Sequence, residues 1–252
     1  MKLPPLMQSV IDAMALPEQA MVRQRIPKKV LLEQGMPTPA DKRAVQDGLE
    51  ELWWVAALKP ATCGLAAHAD DERDHSEVAV LAMLLRQAAK TTRLAELVHR
   101  AIPYPVVLIT QGNNGCTLSL AAKRAHQTEK ARWVLDEMRS TPGIRMDDEL
   151  LAVLPMHTLA VHDLRQLYEK WLAAVEASLA AKVAGRFKVP VNAAEHLRLR
   201  EALEKVDALE RELVILRAQA KREKQMNRAV KLNLEIKQKE QHLKNLISAL
   251  AE

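Results

Sequence analysis

The residues whose types and spacing could do chemistry are few and scattered. His68, Asp70, Asp74 and His75 stand close together and offer nitrogen and oxygen ligands for a divalent metal. Spacing alone does not fold four side chains around one ion. The block from His68 to His75 also lacks periodicity, so it reads first as a solvated loop. A metal-dependent nuclease would need a carboxylate on one strand and a Glu-x-Lys on the next, two acids to hold the ion and a lysine to steady the attacking water. The run Val80-Leu81-Ala82-Met83-Leu84-Leu85 carries no carboxylate, and Glu77 at its start or Asp136-Glu137 later are the substitutes available. Ser119 and Cys116 fall in a strand-like segment without the glycine elbow that exposes a nucleophile. There is no phosphate-binding glycine loop and no dinucleotide fingerprint. No cofactor is expected, and a divergent metal-dependent nuclease stands as the alternative reading.

Binding chemistry is better represented. Arg25, Lys28 and Lys29 surround Pro27, which holds the charges in a fixed arrangement suited to a phosphate or an acidic partner, or simply to a solvated basic loop. A second set, Lys221, Arg222, Lys224 and Arg228, occupies a stretch of the C-terminal region where apolar density falls. The formal charge of +5 and pI near 9.2 permit an anionic partner. With Phe, Trp and Tyr at only 3%, a base-stacking platform for single strands is disfavoured. Trp53, Trp54, Trp133 and Trp171 read as core and boundary residues, and one of the adjacent pair is free to point outward as a partner anchor.

The elements that must position these groups follow from periodicity. Leu6, Val10, Ile11 and Met14 make a short amphipathic helix ended by Pro17, with room for a second short helix after it. Arg25 to Leu32 is a compact basic segment before the turn signals Gly35, Pro37 and Pro39. From Asp41, the spacing of Val45, Leu49, Leu52 and Trp53 predicts a helix through residue 54, stopped by Pro60. Thr62 to Ala67 is a strand or the approach to one, and Glu77 to Leu85 a buried strand. Leu94, Leu97, Val98 and Ala101 place a helix over 91–101. Val106 to Thr110 and Cys116 to Ala121, joined through Gly112-Asn113-Asn114-Gly115, form a β-hairpin, and a further strand over 131–137 extends the sheet. A long helix over 157–183 carries Leu164, Leu167, Trp171, Leu172, Val175 and Leu179 and ends at Gly185.

Asn192 with Glu195 three positions on is a capping spacing that starts the last segment, which holds neither Gly nor Pro. Val206, Leu209, Leu213, Leu216 and Ala220 follow one heptad seam; Leu232, Ile236, Leu243, Leu246 and Leu250 follow another at a different phase. The chain either continues as one helix of about 90 Å, at about 1.5 Å per residue, or folds back near residues 217–228. The lack of a turn residue favours the continuous helix. The fold class is thus α/β (α+β), a small mixed or antiparallel sheet flanked by helices and followed by a long C-terminal coiled-coil helix. Its parts are a helical and basic segment over 1–40, an α/β domain over 41–185, a linker over 186–192 and the coiled-coil helix over 193–252.

At 48% hydrophobic the chain can bury a core of largely aliphatic residues. Cys63 and Cys116 lie far apart without a CxxC spacing, which suits a reducing compartment and argues against a disulfide framework or zinc site. The start Met1-Lys2-Leu3-Pro4-Pro5 does not read as a signal peptide, and no apolar run is long enough to span a bilayer. A cytoplasmic protein without membrane partners is expected.

Two of these segments carry a resemblance. Arg25-Ile26-Pro27-Lys28-Lys29, and Ala101-Ile102-Pro103-Tyr104-Pro105-Val106-Val107-Leu108-Ile109 leading into a turn and second strand, make residues 20–180 resemble the bacterial "domain of unknown function 4391" family. Physically, prolines 103 and 105 force the residues before them out of helix and deliver the chain extended into the strand. Members of that family look like accessory genes of phage-defence and restriction-modification neighbourhoods, beside helicases and DNA methyltransferases. The resemblance implies a setting rather than a reaction. Together with the missing catalytic pattern and the partner-seeking C-terminal helix, it suggests a non-catalytic accessory or scaffold subunit, with helicase or methyltransferase subunits as candidate partners, DNA as a further candidate contact, and a homo- or hetero-oligomer formed through that helix.

Overall fold

The computed structural model describes residues 2–34, 38–87, 89–113, 115–125 and 133–251, leaving aside the side chains of Ala125, Trp133 and Ala251. The expected turn residues Gly35 and Pro37, Asn114 of the hairpin turn, and residues 131–132 of the expected third strand lie outside that set. The chain forms two compact units, Met1–Val175 and Glu176–Glu252. Among the described residues, no helix is long and apolar enough to cross a membrane.

In the first unit, α1 (Pro5–Ala13) buries Met7, Val10 and Ile11 and stops before Pro17, where Ala15 takes a left-handed φ of 49°. A 3₁₀ turn over Glu18–Ala20 leads into β1 (Met21–Arg25), an edge strand absent from the sequence expectation. Its irregular register between Met21 and Gln24, together with exposed Arg23 and Arg25, blunts the sheet edge. Then follow α2 (Lys28–Gln34) and α3 (Pro39–Gly48). α3 is capped reciprocally by Thr38 and Asp41, and Arg93 clamps the Asp41 carboxylate at 2.7 Å through both Nε and Nη2.

The helix expected to run through residue 54 ends instead at Gly48, and β2 (Leu49–Leu58) begins at the next residue. The spacing of Leu49, Leu52 and Trp53 fits a helix, but two physical facts override it. A Cβ at Gly48 would sit 3.0 Å from the Ala89 Cβ and 3.1 Å from Leu94, so the chain makes a close approach there. The aromatic and β-branched run Trp53-Trp54-Val55 then lies in an interior strand, with β1 on one side and the strand Val78–Leu85 on the other. After α4 (Pro60–Cys63), two short strands β3 (His68–Ala69) and β4 (Asp74–His75) pair antiparallel, so the block expected as a loop is a small hairpin.

β5 (Val78–Leu85), α5 (Thr91–Ala101) and β6 (Val106–Gly112) make one parallel crossover. β7 (Gly115–Ala125) and β8 (Trp133–Ser140) complete a sheet of order β1-β2-β5-β6-β7-β8, antiparallel at every pair but β5–β6. One face packs Leu81, Met83 and Leu108 against Leu94, Leu97 and Val98 of α5 in the main core. After α6 (Glu149–Ala152) comes α7 (Leu164–Ala184), starting later than the expected residue 157 because a 3₁₀ turn over Met156–Thr158 intervenes. The Tyr168 hydroxyl of α7 accepts the Ala121 amide at 2.9 Å and lies 3.0 Å from the Val106 carbonyl and 2.9 Å from the Ala121 carbonyl, either of which takes its single proton, and buried Trp171 donates Nε1 to the Leu154 carbonyl at 3.0 Å.

The second unit contains the end of α7, a linker from Gly185 (φ 78°), α8 (Ala193–Arg222) and α9 (Met226–Ala251). The continuous helix is not formed: the chain folds back at Glu223–Gln225, and α8 and α9 pack antiparallel, with Arg217 on Glu240 at 2.8 Å and Lys239 on Glu212 at 2.7 Å. The reason lies in the phase break between the two heptad seams. Residues 221–228 are Lys, Arg, Glu, Gln and Asn apart from the exposed Met226, so extending one helix buries almost nothing there, whereas folding back lets each seam cover the other. Val206 and Leu213 are buried, and Leu209, Leu216, Leu232, Ile236, Leu243, Leu246 and Leu250 half-buried. The expected coiled-coil interface thus packs within one chain.

Candidate nucleic-acid interface

The fold-back concentrates charge. Lys221 and Arg222 end α8, Lys224 lies in the turn, and Arg228 and Lys231 open α9; all five are exposed. With Arg217, residues 217–231 carry six cations against the single carboxylate Glu223, a surplus equal to the formal charge of the whole chain, so the remaining residues balance to neutrality. Glu223 is held in the turn by its Oε1, which accepts the Gln225 amide at 2.8 Å. Arg222, Arg228 and Lys231 surround an open groove of about 560 Å³ together with Gln219, Glu223 and Leu232. Lys221 and Arg222 also sit where the C-terminal helix dipole favours cations. No aromatic side chain lies in the segment, so this surface offers charge to a phosphate backbone and nothing to stack on bases. Arg217 and Lys231 are additions to the expected set, and a sliding charge count would have included them.

The other expected basic set lies in the first unit and is partly gathered. Lys28 Nζ and Arg86 Nη1 both donate to the Gln46 carbonyl at 3.3 Å, and Arg86 also reaches the Asp47 carbonyl. Burial, then the neighbouring Arg86 and Arg25, lower the Lys28 pKa. Arg25 pairs with Glu51 at 3.3 Å, and Lys29 with Glu33 at 3.4 Å on its own helix. Arg86 and Lys28 cap the C-terminal carbonyls of α3, a structural task that the sequence around Lys28 does not announce.

The candidate metal ligands are consumed locally. Asp70 accepts the amides of Arg73 and Glu72, and these with His68 hold its carboxyl down to about 2. His68 Nε2 lies 3.1 Å from Asp70 and 3.0 Å from Arg165 Nη1, and Asp74 accepts the Ser76 amide. Burial lowers His75 to about 4, and its ring stands edge-on to Tyr168. Among the described residues, no group of three or more His, Cys, Asp or Glu side chains is placed to hold a metal.

The nuclease carboxylates are also kept apart. Glu77 pairs with Lys59 at 3.0 Å ahead of β5, whereas Asp136 pairs with Arg124 at 3.0 Å and Glu137 with Arg139 on β8, with β6 and β7 between. Ser119 does meet a histidine, His99 Nε2 at 3.1 Å, a pairing 20 residues apart that no local motif signals. Both are buried, and burial lowers His99 to about 3, leaving a neutral, weak base. Burial likewise pushes the Cys116 thiol up to about 12. Lys123, buried and pushed down to about 7, donates to the carbonyls of Ile102 and Tyr104 just beyond α5. Trp53 and Trp54 are half-buried, their indoles bonded to Glu51 and the Ala56 carbonyl.

A family model described as a domain of unknown function (DUF4391) covers residues 14–243. No curated protein and no solved structure matches the chain.

Proposed function

The chain belongs to the DUF4391 family, and from its geometry we propose that it is a non-catalytic accessory subunit whose helical hairpin contacts the phosphate backbone of nucleic acid. The observation that carries this reading is the concentration of the chain's whole positive surplus in residues 217–231, at the turn of a two-helix arm. An arm of this kind adds sequence-independent affinity by releasing counterions, without reading bases. The buried titratable groups support a non-catalytic role, since Asp41 caps α3, Lys123 caps the end of α5 and Tyr168 ties α7 to the sheet. In the setting the family resemblance implies, an assembly acting on DNA in phage defence, the arm would hold the duplex while a helicase or methyltransferase subunit acts. The α/β unit is the surface left for docking such a subunit.

The test is fluorescence anisotropy with a labelled duplex at low salt, comparing the full chain with K221Q/R222Q/K224Q/R228Q. Binding should weaken by about tenfold or more in the variant. Equal affinity of the two proteins would overturn the proposal.

A further inference from the structure

The second unit holds a pocket of about 360 Å³ well away in sequence from the basic turn, between the end of α7, the linker, the start of α8 and the end of α9. Its floor is apolar, formed by Leu199, Ala202, Leu246 and Leu250, and its volume falls in the range of about 300–1,000 Å³ usual for small-ligand sites. The exposed Arg198 also lines it, with Arg186 and Lys188 further round the wall, and among the described residues the lining carboxylate is Glu195. That carboxylate is engaged in capping α8: Oε2 accepts the Val191 amide at 3.1 Å and Oε1 the Asn192 side-chain amide at 3.0 Å.

The walls are fixed by their own contacts. Glu176, 1% exposed, accepts His196 Nε2 at 2.5 Å and Arg200 Nε at 3.1 Å, which locks the end of α7 to the first turns of α8. The antiparallel packing of α8 and α9 sets the opposite side. A preformed apolar floor under a positive lining selects by both size and sign.

We infer that this pocket binds a small amphipathic anion, an apolar body bearing one carboxylate head, with the body on Leu199, Leu246 and Leu250 and the head toward Arg198. The pocket stands independently of nucleic-acid contact at the hairpin turn. A neutral amphipath of equal length would lose the charge pairing, and a cationic one would place its ammonium beside the Arg198 guanidinium.

Isothermal titration of the full chain with decanoate, and separately with decyltrimethylammonium, tests this below the micelle threshold of each. The expected result is saturable decanoate binding, one per chain, with a Kd on the order of 1 mM or tighter, and no saturable binding of the ammonium. R198E should weaken decanoate about tenfold, and A249F, which fills the pocket, should weaken it similarly. R198E changes an exposed side chain and decides the matter if A249F fails to fold. Absence of saturable decanoate binding, equal binding of the two amphipaths, or wild-type affinity in R198E would each overturn the proposal.

Discussion

Glu223 accepts the backbone amide of Gln225 at 2.8 Å through its own carboxylate, and this bond stands where glycine or proline would ordinarily mark a turn between helices. Glu223 itself is extended (φ −72°, ψ 128°), while its amide still bonds back to the Gln219 carbonyl of α8 at 3.0 Å. One residue thus closes α8 and starts the reversal. Replacing it, E223A, should cost the hairpin about 1 kcal/mol, the usual scale for a lost side-chain cap. Faster amide exchange confined to the last turn of α8 and the first of α9 would be the signature.

The fold-back makes a distance prediction. Spin labels replacing Glu212 and Lys239, which pair at 2.7 Å, should lie one helix-to-helix spacing apart, on the order of 10 Å between axes. A continuous helix would separate these positions, 27 residues apart, by about 40 Å. Pulsed dipolar spectroscopy separates the two outcomes.

Asp41 links acid stability to the capping of α3. Its hydrogen bonds from Arg93, and then from Thr38, hold its carboxyl well below the usual carboxylate range. The folded pKa is depressed, so the stabilisation is fully present above about pH 4 and is lost as the pH falls further. D41N should flatten the acid limb of the unfolding curve below pH 4, and R93Q should do the same.

Lys123 works in the opposite range. Burial lowers it to about 7, while an unfolded lysine titrates near 10.5, so the unfolded chain holds more protons between those values. Stability contributed by this site therefore rises as the pH climbs from about 7 toward 10.5. K123M should remove that rise, leaving the variant less stable than wild type at pH 9 by about 1–3 kcal/mol for the orphaned carbonyls, with a smaller deficit at pH 6. Chemical unfolding at the two pH values measures it.

Glu176 is the buried anchor of the second unit. Burial raises its pKa, but the bond from His196 and the charge of Arg200 outweigh it, and the net direction is down. Its stabilisation is present above the ordinary glutamate range and fades as the pH falls through it. E176A would leave His196 and Arg200 without their shared acceptor and should cost about 3 kcal/mol, read as loss of exchange protection in the first turns of α8.

Much of the architecture was legible from local pattern. The hairpin β6–β7 announced itself through Gly112 and Gly115, α5 through its apolar face and the stop at Ile102-Pro103, and α8 through Asn192 and Glu195. The failures share a cause. Leu49, Leu52 and Trp53 satisfy a helical period and a buried strand equally, and only pairing with β5 decides between them. The turn at Glu223 has no turn residue because a charged side chain performs the capping. Site geometry was harder still: Asp41–Arg93 spans 52 residues, and Lys123 meets α5's end through bonds 19 and 21 residues back, separations to which no local window is sensitive. The cations of residues 217–231 were visible as charge, but not their gathering around the turn between two antiparallel helices.

Electrostatic contact between the helical hairpin's basic turn and nucleic acid is tested most directly by the salt dependence of duplex binding. For wild type the plot of log K against log salt concentration should fall with a slope of about −4 or steeper, reporting four or more phosphates neutralised. In K221Q/R222Q/K224Q/R228Q the slope should become shallower by about 3.6, about 0.9 for each charge removed. A flat wild-type plot, or a slope unchanged by removing the four charges, would contradict the account.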